Sequence, residues 1–203
     1  MDLSAFKAYD IRGRVPDQLN QDIAERIGRA YVEVTGARKV IVGCDIRLSS
    51  PALSKALTKG LLAAGADVFD IGLGGTEQVY FSTFHYEMDG GIMVTASHNP
   101  QDYNGMKLVG KGSRPVSSDN GLLDIKARIS GSFEDSANPG RLQKLDSNDD
   151  FIQHLLSYVD VAVLQPLKIV VNAGNGGAGL IIDKLEAHLP FDFIKIHHEP
   201  DGH

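Results

Sequence analysis

The chain has 203 residues, 42% of them hydrophobic and 23% charged, with a formal net charge of −6. That balance suits a globular fold with ample apolar material for a core. The acidic excess argues against a nucleic-acid partner, without excluding a phosphorylated small molecule held by a few local cations. No run of about 18 apolar residues exists to span a membrane, and residues 1–7 lack the basic-then-apolar pattern of a signal segment. Cys44 is the only cysteine, so no internal disulfide can form, and a cytoplasmic setting is expected.

In chain order, Lys7 to Ile11 reads as a short strand. Asn20 is placed to cap a helix whose Ile23, Ile27, Tyr31 and Val34 share one face. Lys39 to Gly43 is a strand. Ser50-Pro51 has the cap and first-turn arrangement of a helix, with Leu53, Leu57 and Leu61 directed inward. Asp67 to Ile71 is a strand, and Thr76 is expected to cap a helix reaching about Tyr86. Gly91 to Thr95 and Met106 to Val109 follow as strands, and Asp119 to Ile129 as a helix. Ser130 to Asp150 has almost no apolar periodicity and reads as a linker or surface excursion. A helix around Phe151, Ile152, Leu155, Leu156 and Val159 comes next. The strand Lys168 to Asn172, a Gly-rich turn, a helix to about His188 and the strand Asp192 to Ile196 complete the order.

Strands alternating with helices imply an α/β layered domain, and sites in such sheets lie beyond the carboxyl ends of the strands. The run Thr95-Ala96-Ser97-His98-Asn99-Pro100 leaves one strand at such an end, and Asp45 and Arg47 leave another. A serine on a polar loop set by a rigid sheet is either an ordinary turn residue or a presented nucleophile. Asp45 and Arg47 are spaced for a local ion pair bracing that loop, a role favoured over direct substrate contact. Asn99 is expected to pin the turn, Asn104 and Gly105 to form the next one, and Asp102 is left without a role. His98 adjoins Ser97, so their side chains are expected to diverge; it is a candidate for phosphate contact, loop orientation or proton transfer.

Four ordered motifs carry a resemblance: Thr95-Ala96-Ser97-His98-Asn99-Pro100 followed by Asp102-Tyr103-Asn104-Gly105-Met106-Lys107; Tyr9-Asp10-Ile11-Arg12-Gly13; Gly43-Cys44-Asp45-Ile46-Arg47; and Asn172-Ala173-Gly174-Asn175-Gly176-Gly177-Ala178-Gly179. With these the chain resembles the α-D-phosphohexomutases, most of all their bacterial phosphomannomutases, over essentially its whole length. The resemblance implies a first domain with a mixed sheet between helices over residues 1–147, and an incomplete α/β second unit over residues 148–203. It implies that Ser97 carries a phosphate and passes it to a hexose phosphate, giving a bisphosphorylated sugar that returns its other phosphate to the serine. The reaction would interconvert mannose 6-phosphate and mannose 1-phosphate. Phosphoryl transfer needs charge neutralisation and positioning, and Lys107 and Arg12 are the cations expected near the phosphate. By resemblance Lys107 also acts as general acid or base, and Tyr9 and Arg12 line the cleft.

In the family Mg²⁺ is shared between the phosphoserine and three aspartates of an Asp-Gly-Asp-x-Asp-Arg run, which this sequence lacks. Ser97, through its phosphate, is the one metal ligand the chain supplies, and little or no turnover is expected of it alone. The ending after the Asp192 to Ile196 strand reads as a truncation, whose exposed surface invites a homo-oligomer to cover it. Two other readings stand beside this one. A folded, non-catalytic module is the first. The second is a dinucleotide-binding fragment, since Gly174-x-Gly176-x-x-Gly179 with Glu199 beyond the next strand satisfies that fingerprint. His197, His198 and His203 lack supporting carboxylates and are read as incidental rather than as a metal cluster.

Overall fold

The computed structural model of the chain describes residues 2–202. Six strands form one mixed sheet: β1 (Ile11–Arg14), β2 (Lys39–Cys44), β3 (Asp67–Leu73), β4 (Gly90–Val94), β5 (Tyr103–Gly110) and β6 (Leu142–Lys144). Their spatial order is β1-β5-β4-β2-β3-β6. β4, β2, β3 and β6 run parallel, whereas β5 is antiparallel to both β4 and β1.

The central strands are apolar on both faces, as a sheet covered by helices on each side requires. Val40, Val42, Ile92, Val94, Met106 and Leu108 bury one face against three helices: α1 (Gln21–Thr35), α2 (Ser50–Ala63) and α4 (Leu122–Arg128). Ile41 and Met93 bury the other against Val79 of α3 (Thr76–His85). α5 (Asn148–Leu156) leans on α3 through Phe151 and Phe81, whose ring centres lie 5.4 Å apart. A second, two-stranded parallel sheet of β7 (Lys168–Asn172) and β8 (Asp192–Ile196) is joined through α6 (Ala178–Glu186). The α/β layered class expected from the sequence is the class found.

Several boundaries moved, each for a local reason. The first strand is Ile11–Arg14, not Lys7 to Ile11, because the Lys7 amide closes a turn onto the Asp10 carbonyl at 2.9 Å. Asn20 caps α1 as expected, accepting from the Ile23 amide at 3.1 Å. Ser50 does not cap α2: the cap position is Ser49, without a side-chain bond, and the Ser50 hydroxyl turns to Asp45. Thr76 likewise lies inside α3, with Gly75 at the cap. β5 begins at Tyr103, so Asn104 and Gly105 are strand rather than turn. α4 starts only at Leu122, since the Asn120 side chain accepts from the Ser117 amide and Gly121 turns through φ 126°. The stretch expected as a linker contains β6, an edge strand whose three residues are all exposed and so leave no apolar period. α5 ends at Leu156, leaving Val159 in a turn and 47% exposed.

Candidate active site at the carboxyl edge of the sheet

β2 and β4 are parallel neighbours, with Cys44 opposite Val94, so the chain leaves both at the same edge. There the Asp45 amide donates to the Val94 carbonyl at 3.0 Å, which holds the two exits together. The parallel register therefore dictates that Asp45-Ile46-Arg47 faces Thr95-Ala96-Ser97.

Arg47 is the clamp. Its Nη1 donates to the carbonyls of Pro100 (2.8 Å) and Tyr103 (2.9 Å), and its Nη2 to those of Ser97 (2.8 Å) and Asn99 (2.6 Å). Asp45 stands 3.5 Å from the Arg47 Nε and accepts from the Arg47 amide (3.1 Å) and the Ser50 hydroxyl (2.5 Å). A guanidinium spread over four carbonyls is committed to the loop; its fork geometry suits that use. Asn99 closes the turn from within by donating to the Ala96 carbonyl at 2.8 Å.

Ser97 sits at φ 52°, in the left-handed region that a non-glycine residue enters only when its surroundings enforce it. Its amide donates to the Thr95 hydroxyl at 2.9 Å, and its own hydroxyl lies 3.3 Å from the His98 Nδ1. The divergence expected of Ser97 and His98 is thus not found, because the positive φ swings the serine back toward its neighbour.

An open cleft of about 630 Å³ lies beside this loop. Asp45, Arg47, Ser97, His98 and Asn99 line one wall, and the Gly-rich turn from Ala173 to Ala178 lines the other. That turn is built by Gly174 at φ 58° and Asn175 at φ 54°. Asn175 also grips the returning chain, donating from its amide to the His197 carbonyl (2.7 Å) and from its side chain to the Glu199 carbonyl (2.9 Å). The third glycine of the dinucleotide-like fingerprint, Gly179, lies where a Cβ would collide with the His198 carbonyl, so the spacing has a packing cause. Glu199 is exposed. His198 pairs with Asp183 at 2.8 Å, and no group of three metal-ligating side chains forms among the described residues; His203 lies outside them.

The other candidates lie off this cleft. Met106, Leu108 and Ile11 face the α1/α2 core, so Lys107 and Arg12 stand on the opposite face of the sheet, toward α3. Arg12 pairs with Asp10 at 2.5 Å. Lys107 is half-buried with no side-chain partner among the described residues. Tyr9 is 78% exposed, and Asp102 is exposed. Asn104 is fully buried and donates to the hydroxyls of Ser49 (2.8 Å) and Ser50 (2.9 Å). Ser49, Ser50 and Thr95 take part here although the sequence assigns none of them to the site, Ser50 reading there as a helix cap; two serines just after an Asp-x-Arg turn were the available signal.

A layered α/β domain that presents a buttressed serine at the carboxyl edge of its parallel strands is of the class whose ligands gather at that edge. Residues 3–134 match the family described as phosphoglucomutase/phosphomannomutase, alpha/beta/alpha domain I. The chain belongs to that family, the α-D-phosphohexomutases. It is 56% identical to a protein of Xanthomonas campestris pv. campestris strain B100 named for phosphohexose mutases, over 100% of this chain and 45% of the relative. It is 54% identical to a phosphomannomutase of Salmonella montevideo, over 98% of this chain and 46% of that one. A crystal structure of a phosphoglucomutase/phosphomannomutase family protein from Burkholderia thailandensis superimposes with a TM-score of 0.88 at 36% identity, covering 100% of this chain and 45% of the other. The chain thus spans about half the length of the curated relatives it matches.

Proposed function

We propose that the chain is the phosphate-carrying N-terminal part, residues 1–147 with the start of a second domain in 148–203, of an enzyme interconverting mannose 6-phosphate and mannose 1-phosphate. The observation that carries this reading is Ser97, held at φ 52° at a cleft and within 3.3 Å of a histidine ring nitrogen. In the forward step a sugar hydroxyl oxygen bonds to the phosphorus on Ser97 as the Ser97 Oγ–P bond breaks; the hydroxyl proton passes to a general base, and the departing Ser97 Oγ takes up a proton. In the return step the Ser97 Oγ bonds to the other phosphorus of the bisphosphorylated sugar as that sugar O–P bond breaks and the sugar oxygen takes up a proton, while the Ser97 hydroxyl surrenders its own. His98, through Nδ1, is placed to receive that proton. Lys107 and Arg12, on the α3 face of the sheet and off the cleft, are the cations we assign to the phosphate, with Lys107 the second candidate for acid or base, and Tyr9 is assigned to substrate contact.

The family suggests metal dependence, and Mg²⁺ is the ion we assign to it, where it would neutralise phosphate charge. The described residues do not fit it as a complete site: Mg²⁺ favours six oxygen ligands, no three acidic or histidine groups converge, and the Asp45 carboxylate is already engaged by Ser50 and Arg47. Phosphorylated Ser97 would contribute one oxygen.

Two measurements test the reading. Intact-mass analysis after incubation with a hexose 1,6-bisphosphate and Mg²⁺ should find one added phosphate, mapped to Ser97 and lost in Ser97→Ala. Unmodified protein under those conditions sinks the assignment. In a coupled assay the 203-residue chain should show little or no mutase turnover, whereas turnover within about tenfold of a full-length relative contradicts that expectation. No helix among the described residues is long and apolar enough to cross a membrane; we place the protein in the cytoplasm, with a hexose phosphate as its small-molecule partner.

A further inference from the structure

The start of α2 breaks a local rule. Two serines occupy the positions where a hydroxyl would cap the helix, and neither does so: Ser49 makes no capping bond, and Ser50 directs its hydroxyl backward. A capping hydroxyl stabilises a helix start, so a helix that forgoes it with two capable residues has engaged them elsewhere. Ser50 is fully buried. Its Oγ donates to the Asp45 Oδ1 at 2.5 Å and accepts from the Asn104 side chain at 2.9 Å. Asn104, equally buried, is fixed at its other end by accepting from the Gly105 amide at 2.8 Å. The Asp45 carboxylate, so fixed, faces the Arg47 guanidinium, and Arg47 holds four carbonyls of residues 97–103.

We infer that Ser50 is a positioning residue for the Ser97 loop: its hydroxyl links Asn104 of β5 to Asp45, and Asp45 aims the Arg47 clamp. The relay explains why a buried serine sits beside a buried asparagine at the head of a helix. Without the Ser50 hydroxyl, Asp45 keeps only the Arg47 amide on Oδ1, and the Asn104 side-chain NH₂ donates only to Ser49. The carboxylate is then held by Arg47 itself and no longer by α2, and the clamp loses its outside anchor. Ser97 touches no member of the relay except through the Arg47 contact to its carbonyl, so the effect on it is one of placement, not of contact. The bearing of this relay on catalysis rests on the reading of Ser97 as phosphate carrier; the mechanical link does not.

Hydrogen exchange on the whole chain separates the two. At a temperature where all variants stay folded, Ser50→Ala should speed exchange of the amides in residues 97–103 by about tenfold or more, the loss of one hydrogen bond to a charged group. Ser82→Ala is the matched control: Ser82 is equally buried on α3, its hydroxyl has no hydrogen-bond partner among the described residues, and the loop should not respond. Asp45→Asn should loosen the same amides, and the double variant should exceed the larger single effect only slightly, since both act in one chain of bonds. Asp45→Asn also reads the relay should Ser50→Ala fail to fold. Loop exchange unchanged in Ser50→Ala, equal in Ser82→Ala, or additive in the double variant would overturn the inference. The second readout is the rate of Ser97 phosphorylation by a hexose 1,6-bisphosphate. It should fall about tenfold or more in Ser50→Ala, as misplacement of a reacting group predicts; an unchanged rate refutes a catalytic bearing for the relay. If the unmodified chain takes up no phosphate, the reading of Ser97 fails while the exchange result still decides the relay.

Discussion

Cys44 ends β2 one position before Asp45, half-buried between two carboxylates. Burial, with Asp70 and then Asp45 adding to it, raises its thiol from the usual 9.0 to about 11. The thiolate is the reactive form, so alkylation at pH 8 should run about a hundredfold slower than for an unperturbed thiol. Reaction at the rate of a free thiol contradicts this. The sign of the linked stability effect follows. The fold suppresses ionisation, so the contribution is complete below about pH 9 and is lost as pH rises through 11. The urea midpoint of the parent should therefore fall more steeply across that window than that of Cys44→Ala. The same residue lies one position before Asp45 of the Ser97 cleft, and its raised pKa equips it poorly as a nucleophile there.

At the scale of elements, α1 and α2 approach closely because each offers a glycine to the other. A Cβ on Gly60 would fall on the Glu25 carbonyl oxygen, and one on Gly28 would fall on the Leu57 carbonyl oxygen. Gly60→Ala improves intrinsic helix propensity by about 1 kcal/mol, yet the contact is with backbone that cannot turn aside. Overpacking costs typically about 1–3 kcal/mol, so a net loss is expected and a lower urea midpoint should report it; a gain would show that the helices separate freely. Asn20 and Ser50 mark what the sequence made legible at this scale. Both precede apolar helical periods, and both read as caps; only Asn20 is one, since Ser50 has a stronger claim from Asp45 across the turn. A local pattern does not reveal a competitor brought in by tertiary structure. β6 was illegible for a related reason: its pairing with β3 is backbone-only, and its exposed side chains carry no period. The Asp45–Arg47 turn and the Ser97 loop were legible because parallel strands deliver their ends to one edge. The φ of Ser97, and with it the His98 contact, was not.

At the scale of the molecule, the first sheet is covered on both faces, whereas the β7–β8 sheet packs one face on α6 and leaves Val170, Ile194 and Ile196 at 60%, 43% and 40% exposure on the other. Apolar surface of this kind favours association. We expect the 203-residue chain to self-associate through it, so light scattering should give a mass rising with concentration, and Ile194→Lys should return it to monomer. A strict monomer at high concentration rules this out. The two sheets meet at the cleft through the Gly-rich turn, so whatever covers the second sheet bears on the wall opposite Ser97.

The antiparallel insertion of β5 between β4 and β1 has a consequence in time. β1 is the first strand of the chain to be synthesised, but its only sheet neighbour is β5, made after β2, β3 and β4. Closing that long loop is entropically costly and slow, so we expect the first strand to dock after the parallel strands have paired, with later protection of its amides in pulsed hydrogen exchange as the check. When it docks, the Val15 amide just beyond its end takes the Asp102 carbonyl at 2.8 Å, inside the segment that follows Ser97. The far side of the loop is therefore fastened through the pairing of two strands that lie far apart in the chain, β1 and β5.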